Sequence, residues 1–269
     1  MKVTSFQKKS PLKEECEDAY FQNETAQIYG VCDGATPLVS FQDEDGHNGA
    51  YLASHLFQAY FEEADAHEPL AAGIVKANEL LGKKMDRYGI DRTQRHQLWC
   101  TCIAAVSITD KIIHCAQLGD CMIVAKYKDG RAEVITTDTV RGISERAKIK
   151  RERDRMSGLP VPQESHFLNP AERLLYNRSM ANTPDGYAVA NGMKEAAFYI
   201  QTRVLNRSEI EALFLCSDGL FHPDFSLVET AQCVWTNGIE AYAKQLERVE
   251  KERGIRPDDK TALIIWLHL

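Results

Sequence analysis

The apolar residues of this chain fall into short runs separated by polar turns. Runs at residues 3–7, 19–22 and 26–32 read as strands, and Asn23-Glu24-Thr25 joins the last two as a hairpin. Leu52, Leu56, Ala59 and Tyr60 recur at helical spacing, which predicts a helix over 50–61. Pro69 then opens a second helix that runs to Tyr88, since proline is tolerated in a first turn. Residues 98–108, 112–118 and 122–127 are rich in Val, Ile, Thr and Cys. Asp129-Gly130 turns the chain into a further strand over 132–136, so this block reads as an antiparallel meander. Strands are also predicted at 187–190, 197–204 and 212–216. Residues 239–253 form a helix closed by Gly254, with Glu247 and Lys251 as an i,i+4 pair. The chain ends in a strand, D-D-K-T-A-L-I-I-W-L-H-L, preceded by two aspartates. Strands, then helices, then strands, without βαβ alternation, predict an α+β fold with packed sheets.

Residues 140–186 break the pattern. I-S-E-R-A-K-I-K-R-E-R-D-R-M is helical in propensity and strongly charged, which reads as a solvated surface helix. Gly158, Pro160, Pro162, Pro170 and Pro184 punctuate the rest of the segment. The segment is expected to be an insert or flap over a rigid scaffold, a place where function often sits.

A length of 269 residues suits one large domain or two small ones, and one domain of that size buries a core without staples. A net charge of −7 argues against a nucleic-acid backbone as the main partner. The eight cysteines form no C-x-x-C pair, and several lie inside apolar runs, where a thiol behaves as a small hydrophobe. Buried reduced thiols suit the cytoplasm. M-K-V-T-S-F-Q-K-K-S has no apolar core of a signal peptide, and no run reaches the roughly 18 apolar residues of a membrane span. The expectation is therefore a cytoplasmic monomer with neither nucleic acid nor membrane as partner.

The acids are the informative residues. Twice an apolar run ends in Asp-Gly, at Asp33-Gly34 in Y-G-V-C-D-G-A and at Asp218-Gly219 in L-F-L-C-S-D-G. Either pair alone reads as a turn. Yet Glu17-Asp18, Asp120 and Asp258-Asp259 also stand where strands meet loops. Carboxylates gathered at such junctions repel one another and raise each other's pKa unless a cation holds them. An all-oxygen set without His or Cys at ligand spacing selects hard ions such as Mg²⁺ or Mn²⁺. Several aspartates suit two ions that activate a bridging water for displacement at phosphorus. The glycines are expected to let a carbonyl or a substrate approach the ions.

E-C-E-D-A, V-C-D-G-A, L-G-D-C, C-S-D-G-L-F and D-D-K-T-A stand in the order found in the metal-dependent type-2C Ser/Thr protein phosphatases, and between them span nearly the whole chain. The chain resembles a divergent, bacterial-like member of that family. The resemblance implies a single phosphatase domain over residues 1–269. It implies a four-layer αββα sandwich of two antiparallel sheets flanked by helices, with a binuclear Mn²⁺/Mg²⁺ centre at one end and the 140–186 flap within the domain. By position, it implies that Asp33 bridges both ions and that Gly34 supplies a backbone carbonyl. Asp218 and Asp258 would ligate the first ion, while Glu17 and Asp18 would hold water ligands of the second. Asp120 resembles a ligand of a weaker third ion. Thr101 resembles a strand residue behind the site, and equally a plain sheet-forming threonine.

Three positions depart from the family pattern. Lys13 stands where the family usually has a phosphate-gripping Arg, and a lysine offers a point charge where Arg offers a fork. Asp33-Gly34-Ala35-Thr36-Pro37 replaces a D-G-x-G-G loop. His222 stands where a further aspartate is expected; it reads as a broken third-ion site, a general acid or a structural histidine, with Asp224 near enough in sequence to act as ligand. The implied function is hydrolysis of phosphoserine and phosphothreonine in phosphoprotein substrates by a metal-activated water, with Asp33, Asp218 and Lys13 at the chemistry. No cysteine sits in a C-x₅-R phosphate cradle, which disfavours cysteine-based chemistry. The alternatives are a catalytically weak or dead phosphatase-like binding module and, disfavoured by the acidic charge, a metal-dependent nuclease.

Overall fold

The computed structural model describes residues 1–267. Ten strands divide evenly between two antiparallel sheets. One has the order β1 (Lys2–Lys8), β10 (Lys260–Trp266), β9 (Ile210–Cys216), β6 (Met122–Tyr127) and β7 (Ala132–Val134). The other has the order β2 (Asp18–Asn23), β3 (Ile28–Ala35), β4 (Cys100–Ile108), β5 (Ile112–Leu118) and β8 (Gln201–Asn206). Helices α1 (Gly49–Glu62) and α2 (Leu70–Arg87) cover the second sheet, and α5 (Leu227–Asn237) and α6 (Ile239–Arg253) cover the first. The result is the αββα sandwich, α+β in class.

The continuous apolar runs have a simple cause. Along β9, Leu213 and Leu215 join the core between the sheets, while Phe214 and Cys216 join the core under α5 and α6. In β10, Leu263 and Ile265 point one way and Ala262 and Ile264 the other. Side chains alternate across a strand, and here both faces are covered, so both sets are apolar and no polar alternation appears. Tyr242 in α6 donates its hydroxyl to the Leu220 carbonyl at 2.8 Å, which docks that helix on the turn after β9.

Several predicted elements differ. The meander is split. β4 and β5 pair in one sheet and β6 and β7 in the other, because the chain changes sheets at Gly119-Asp120. Gly119 has φ +106°, and a Cβ there would lie 2.2 Å from the Cys102 sulfur, so only glycine makes that crossing. Residues 187–190 form no strand. Ala190 makes a single bridge to Thr101, stitching the end of the 140–186 segment to β4. The stretch predicted as a strand at 197–204 begins as a 3₁₀ turn, Lys194–Tyr199, before β8. Helix α5 adds to the predicted elements, and its signal lies in the sequence: Ser226 and Glu229 form a reciprocal capping box. The terminal strand ends at Trp266, and residues 268–269 of the predicted run lie outside the described residues.

Within 140–186 stand α3 (Ile143–Met156) and α4 (Pro170–Ser179), the latter capped by Asn169 with Pro170 in its first turn. The charged helix α3 is not uniformly solvated. Arg151 is 3% exposed, donates to both oxygens of Glu164 at 2.9 Å, and lies over the rings of Phe167 and Tyr176 at 4.1 and 4.9 Å. Arg155 adds a second donor to Glu164, and the two arginines, Arg151 foremost, hold that carboxyl down at about 2. A buried guanidinium thus forms the small core of this segment. Among the described residues no helix is long and apolar enough to cross a membrane.

Candidate metal centre

The strand-end acids meet at one edge of the sandwich. Asp18 opens β2 and pairs in register with Asp33 near the end of β3. Asp218 follows β9, Asp258 precedes β10, and Asp120 sits at the sheet crossing. Asp33, Gly34, Asp120, Asp218, Asp258 and Lys13 all line one cavity of about 230 Å³. A wider cleft of about 770 Å³ adjoins it, sharing Asp120 and Asp218 and adding Arg141 and His222. Both sheets and both Asp-Gly turns therefore deliver carboxylates to one place.

The glycines of those turns serve packing. A Cβ on Gly34 would fall 2.5 Å from the carbonyls of Ala50 and Glu17, and one on Gly219 would fall 1.8 Å from the carbonyl of Asp259. Each glycine lets a neighbouring loop, itself carrying an acid of the site, press against the strand end. The Gly34 amide donates to the Glu17 carbonyl at 3.2 Å, which fixes that approach. Thr101 stands behind the site and donates its hydroxyl to the Asp33 carbonyl at 3.0 Å.

The paired aspartates before β10 divide their work. Asp259 is 1% exposed and accepts from the amides of Ser10 and Glu17 at 2.7 and 2.8 Å and from Lys13 at 3.0 Å. It clasps the N-terminal loop to the sheet. The Asp258 side chain is 52% exposed and faces the cavity. Glu17 is held by Asn48, which also caps α1, at 2.7 Å and by Thr36 at 2.9 Å.

Lys13 is bound into the acids. Its ammonium lies 2.7 Å from Glu17, 2.6 Å from Asp258 and 3.0 Å from Asp259. An ammonium has three N–H donors, so all are spent on carboxylates. Burial works against this charge, but hydrogen bonds to Asp258 and Glu17 more than offset it and raise the Lys13 pKa.

The remaining acids are short of positive charge. Burial, then the charge of Asp259 and Asp218, pushes Asp18 up to about 7, against partial relief from Ser217. Burial and Asp218 push Asp120 up to about 8. Asp33 is raised by burial and by Asp18, Asp218 and Asp120, and Asp218 is raised by burial and Asp258. Asp18 Oδ2 is buried without a partner among the described residues. Among those residues no three His, Cys, Asp or Glu side chains are already drawn into a cage; Asp33, Asp120, Asp218 and Asp258 line the cavity, Asp18 and Glu17 do not, and Glu17 and Asp258 are turned to Lys13. An all-oxygen ring with an orphaned buried carboxylate oxygen and raised pKa values fits a hard divalent cation.

His222 sits beside Asp218 in the wider cleft. Its Nδ1 accepts from the Asp224 amide at 3.1 Å, so the proton is assigned to Nε2, and the ring stacks on Phe225 at 3.8 Å. Burial lowers its pKa, which leaves a neutral imidazole at pH 7. Nε2 is buried and has no partner among the described residues. Asp224 is taken by Arg253, at 2.8 Å, and does not turn toward the acids.

The family model for Protein phosphatase 2C matches residues 12–256. The chain belongs to that family and is, by class, a phosphoprotein phosphatase. The match stops short of Asp258, so that residue rests on its place in the cavity. No curated protein sequence matches significantly. The chain is similar to the solved serine/threonine phosphatase Stp1 from Staphylococcus aureus, at 18% identity and a TM-score of 0.62, over 99% of this chain and 95% of that one. It is similar to PppA, a regulatory component of the T6SS in Pseudomonas aeruginosa, at 18% identity and 0.62, over 98% and 96%. It is also similar to the catalytic domain of PstP, solved with two manganese ions, at 16% identity and 0.58, over 98% and 96%. At such identities the likeness speaks for the fold.

Proposed function

We propose that the whole chain forms one catalytic unit that removes phosphate from phosphoserine and phosphothreonine in proteins, with residues 140–186 as a flap beside the site. The observation that carries this reading is the convergence of Asp33, Asp120, Asp218 and Asp258 on one cavity at the edge of the sandwich. Asp33, the Gly34 carbonyl, Asp218 and Asp258, with Glu17 and Asp18 through water, are the residues that would hold two Mn²⁺ or Mg²⁺ ions. Manganese in PstP supports the choice of ion class. Such ions supply an activated water and charge stabilisation at the phosphoryl oxygens. The chain's own part is to keep several carboxylates together despite their repulsion. Thr101 orients the Asp33 backbone, Asn48 and Thr36 orient Glu17, and the Asp259 clasp holds the loop bearing Glu17 and Asp18. The purified protein should release phosphate from a phosphothreonine peptide with Mn²⁺ or Mg²⁺ and lose that activity in chelator. Full turnover in excess chelator would rule out the metal-centred reading, and no turnover with either ion would leave a binding module.

Asp120 and Asp218, which line the wider cleft with Asp138 and His222, are the acids that would hold a weaker third ion, with His222 offering a proton donor where an anionic oxygen would complete the site. His222→Asp is expected to lower the Mg²⁺ concentration for half-activation by roughly tenfold, because it adds a hard anionic ligand. Metal titration of activity checks this. An unchanged titration together with a lost limb of the pH–rate profile would identify His222 as an acid instead; no change in either would make it structural.

A further inference from the structure

Helix α4 turns one face to the carboxylate cavity. Leu174, Asn177 and Arg178, spaced i, i+3 and i+4, all line it. Arg178 is half-buried there and donates from Nη2 to the Thr36 carbonyl at 3.1 Å. Among the described residues this is its one hydrogen bond to an oxygen, and no carboxylate lies within ion-pairing distance of it. A guanidinium carries five N–H donors in a planar fork; one goes to Thr36 and the Cys100 thiol lies beside the group, which leaves donors to spare.

Of the six other arginines of the segment, Arg141 and Arg173 are exposed and do not line this cavity, Arg141 standing in the wider cleft, and the remaining four are committed. Arg146 donates to the carbonyls of Arg141, Thr139 and Gly186. Arg151 and Arg155 share Glu164, and Arg153 pairs with Asp185. Lys13, on the opposite loop, has spent its three donors on Glu17, Asp258 and Asp259. Of the two cations lining the cavity, one neutralises the acids and the other faces the space with donors to spare.

We propose that Arg178 grips the phosphoryl group of the substrate, the task that the family pattern places at position 13. The inference rests on the phosphatase reading for the identity of the ligand. It assigns Lys13 to holding carboxylates and moves anion recognition to the flap. A fork matches two phosphoryl oxygens, which an ammonium does not. The cavity of about 230 Å³ has room for a phosphoryl group with several waters, each taking ~30 Å³. Because α4 carries the gripping residue, phosphate binding is expected to slow amide exchange in that helix.

The test is titration of inorganic phosphate into the Mn²⁺-loaded full chain, with peptide kinetics and amide exchange of α4 alongside. Arg178→Ala is expected to weaken phosphate binding by roughly tenfold or more, since a charge-assisted fork is lost. KM for a phosphothreonine peptide should rise in step while kcat stays within about threefold. Arg178→Lys keeps a charge and a donor for Thr36, and should fall between the two. Phosphate should slow exchange in α4 of the wild type but not of Arg178→Ala. A residue that only tethers the flap to Thr36 would move the peptide KM and leave inorganic phosphate affinity unchanged, which would overturn the proposal. So would a wild type that binds no phosphate. A wild type that binds phosphate through Arg178 but hydrolyses no peptide would sink the hydrolytic reading and leave this one standing. One that hydrolyses peptide, with Arg178→Ala unchanged, would do the reverse.

Discussion

Asp33→Asn is expected to lower kcat by about a thousandfold and, in chelator, to raise the melting temperature. The two effects share one cause. Asp33 is half-buried beside Asp18, Asp218 and Asp120, and its pKa is raised by desolvation and by those charges. A carboxylate is kept there at a cost to the metal-free fold, which is the pattern expected when strain is stored at a site and used on ligand binding. Asparagine has the same shape and removes one charge from the ring. Repulsion falls, so the metal-free protein gains stability. Loss of a carboxylate that would help to hold the cations would remove ~4 kcal/mol of transition-state stabilisation, the equivalent of a thousandfold rate loss. Asp218→Asn should behave alike, since burial and Asp258 raise its pKa in the same way. Steady-state kinetics with saturating Mn²⁺ and thermal melts in chelator together check the claim. A variant that keeps near-normal kcat removes that residue from the site. One that loses activity and also melts lower in chelator shows that the carboxylate holds the fold, and the functional argument for it fails.

Much of this was legible in the chain because it is local. A strand buried on both faces must be apolar throughout, so L-F-L-C and A-L-I-I-W announce the sandwich. The polar residues that end such runs then stand out as Asp-Gly. What the Asp-Gly pairs had in common was also readable, but the reason for glycine was not. It lies in carbonyls of Ala50, Glu17 and Asp259, which approach from distant segments. The same holds for the cations. Lys13 beside Glu14 and Glu15 reads as a phosphate ligand or a solvated lysine, and its three partners include acids some 245 positions away. Arg151 and Arg178 look like surface charge in a polar stretch, and only the fold of α3 and α4 makes one a buried core and the other a cavity wall. Helix α5 is a different kind of miss, since its capping box was in plain view. The split meander had a local sign too, in the single Gly119 between two strand runs.

Removing divalent cations should make the protein less stable as pH rises, the opposite of ordinary acid denaturation. Asp18 sits at about 7 and Asp120 at about 8 in the fold, whereas an unfolded aspartate titrates near ~3.9. Between these values the native state binds more protons than the unfolded state. Stability then falls with pH, by up to ~1.4 kcal/mol per pH unit for each such group within its window. The contribution is fully present below the unfolded value and is gone once pH has passed the folded one. With Mn²⁺ present the sign should turn, because binding requires ionised carboxylates and releases their protons, so stabilisation grows as pH rises. Urea midpoints at pH 5, 6.5 and 8, in chelator and in excess Mn²⁺, should therefore diverge. Asp120→Asn should make the chelator series shallower from pH 5 to 8, and most completely above pH 7, where Asp18 has already ionised. A chelator series that is level or climbs from pH 5 to 8 would mean that these acids are compensated inside the protein already. The case for a cation as their missing partner would then be lost.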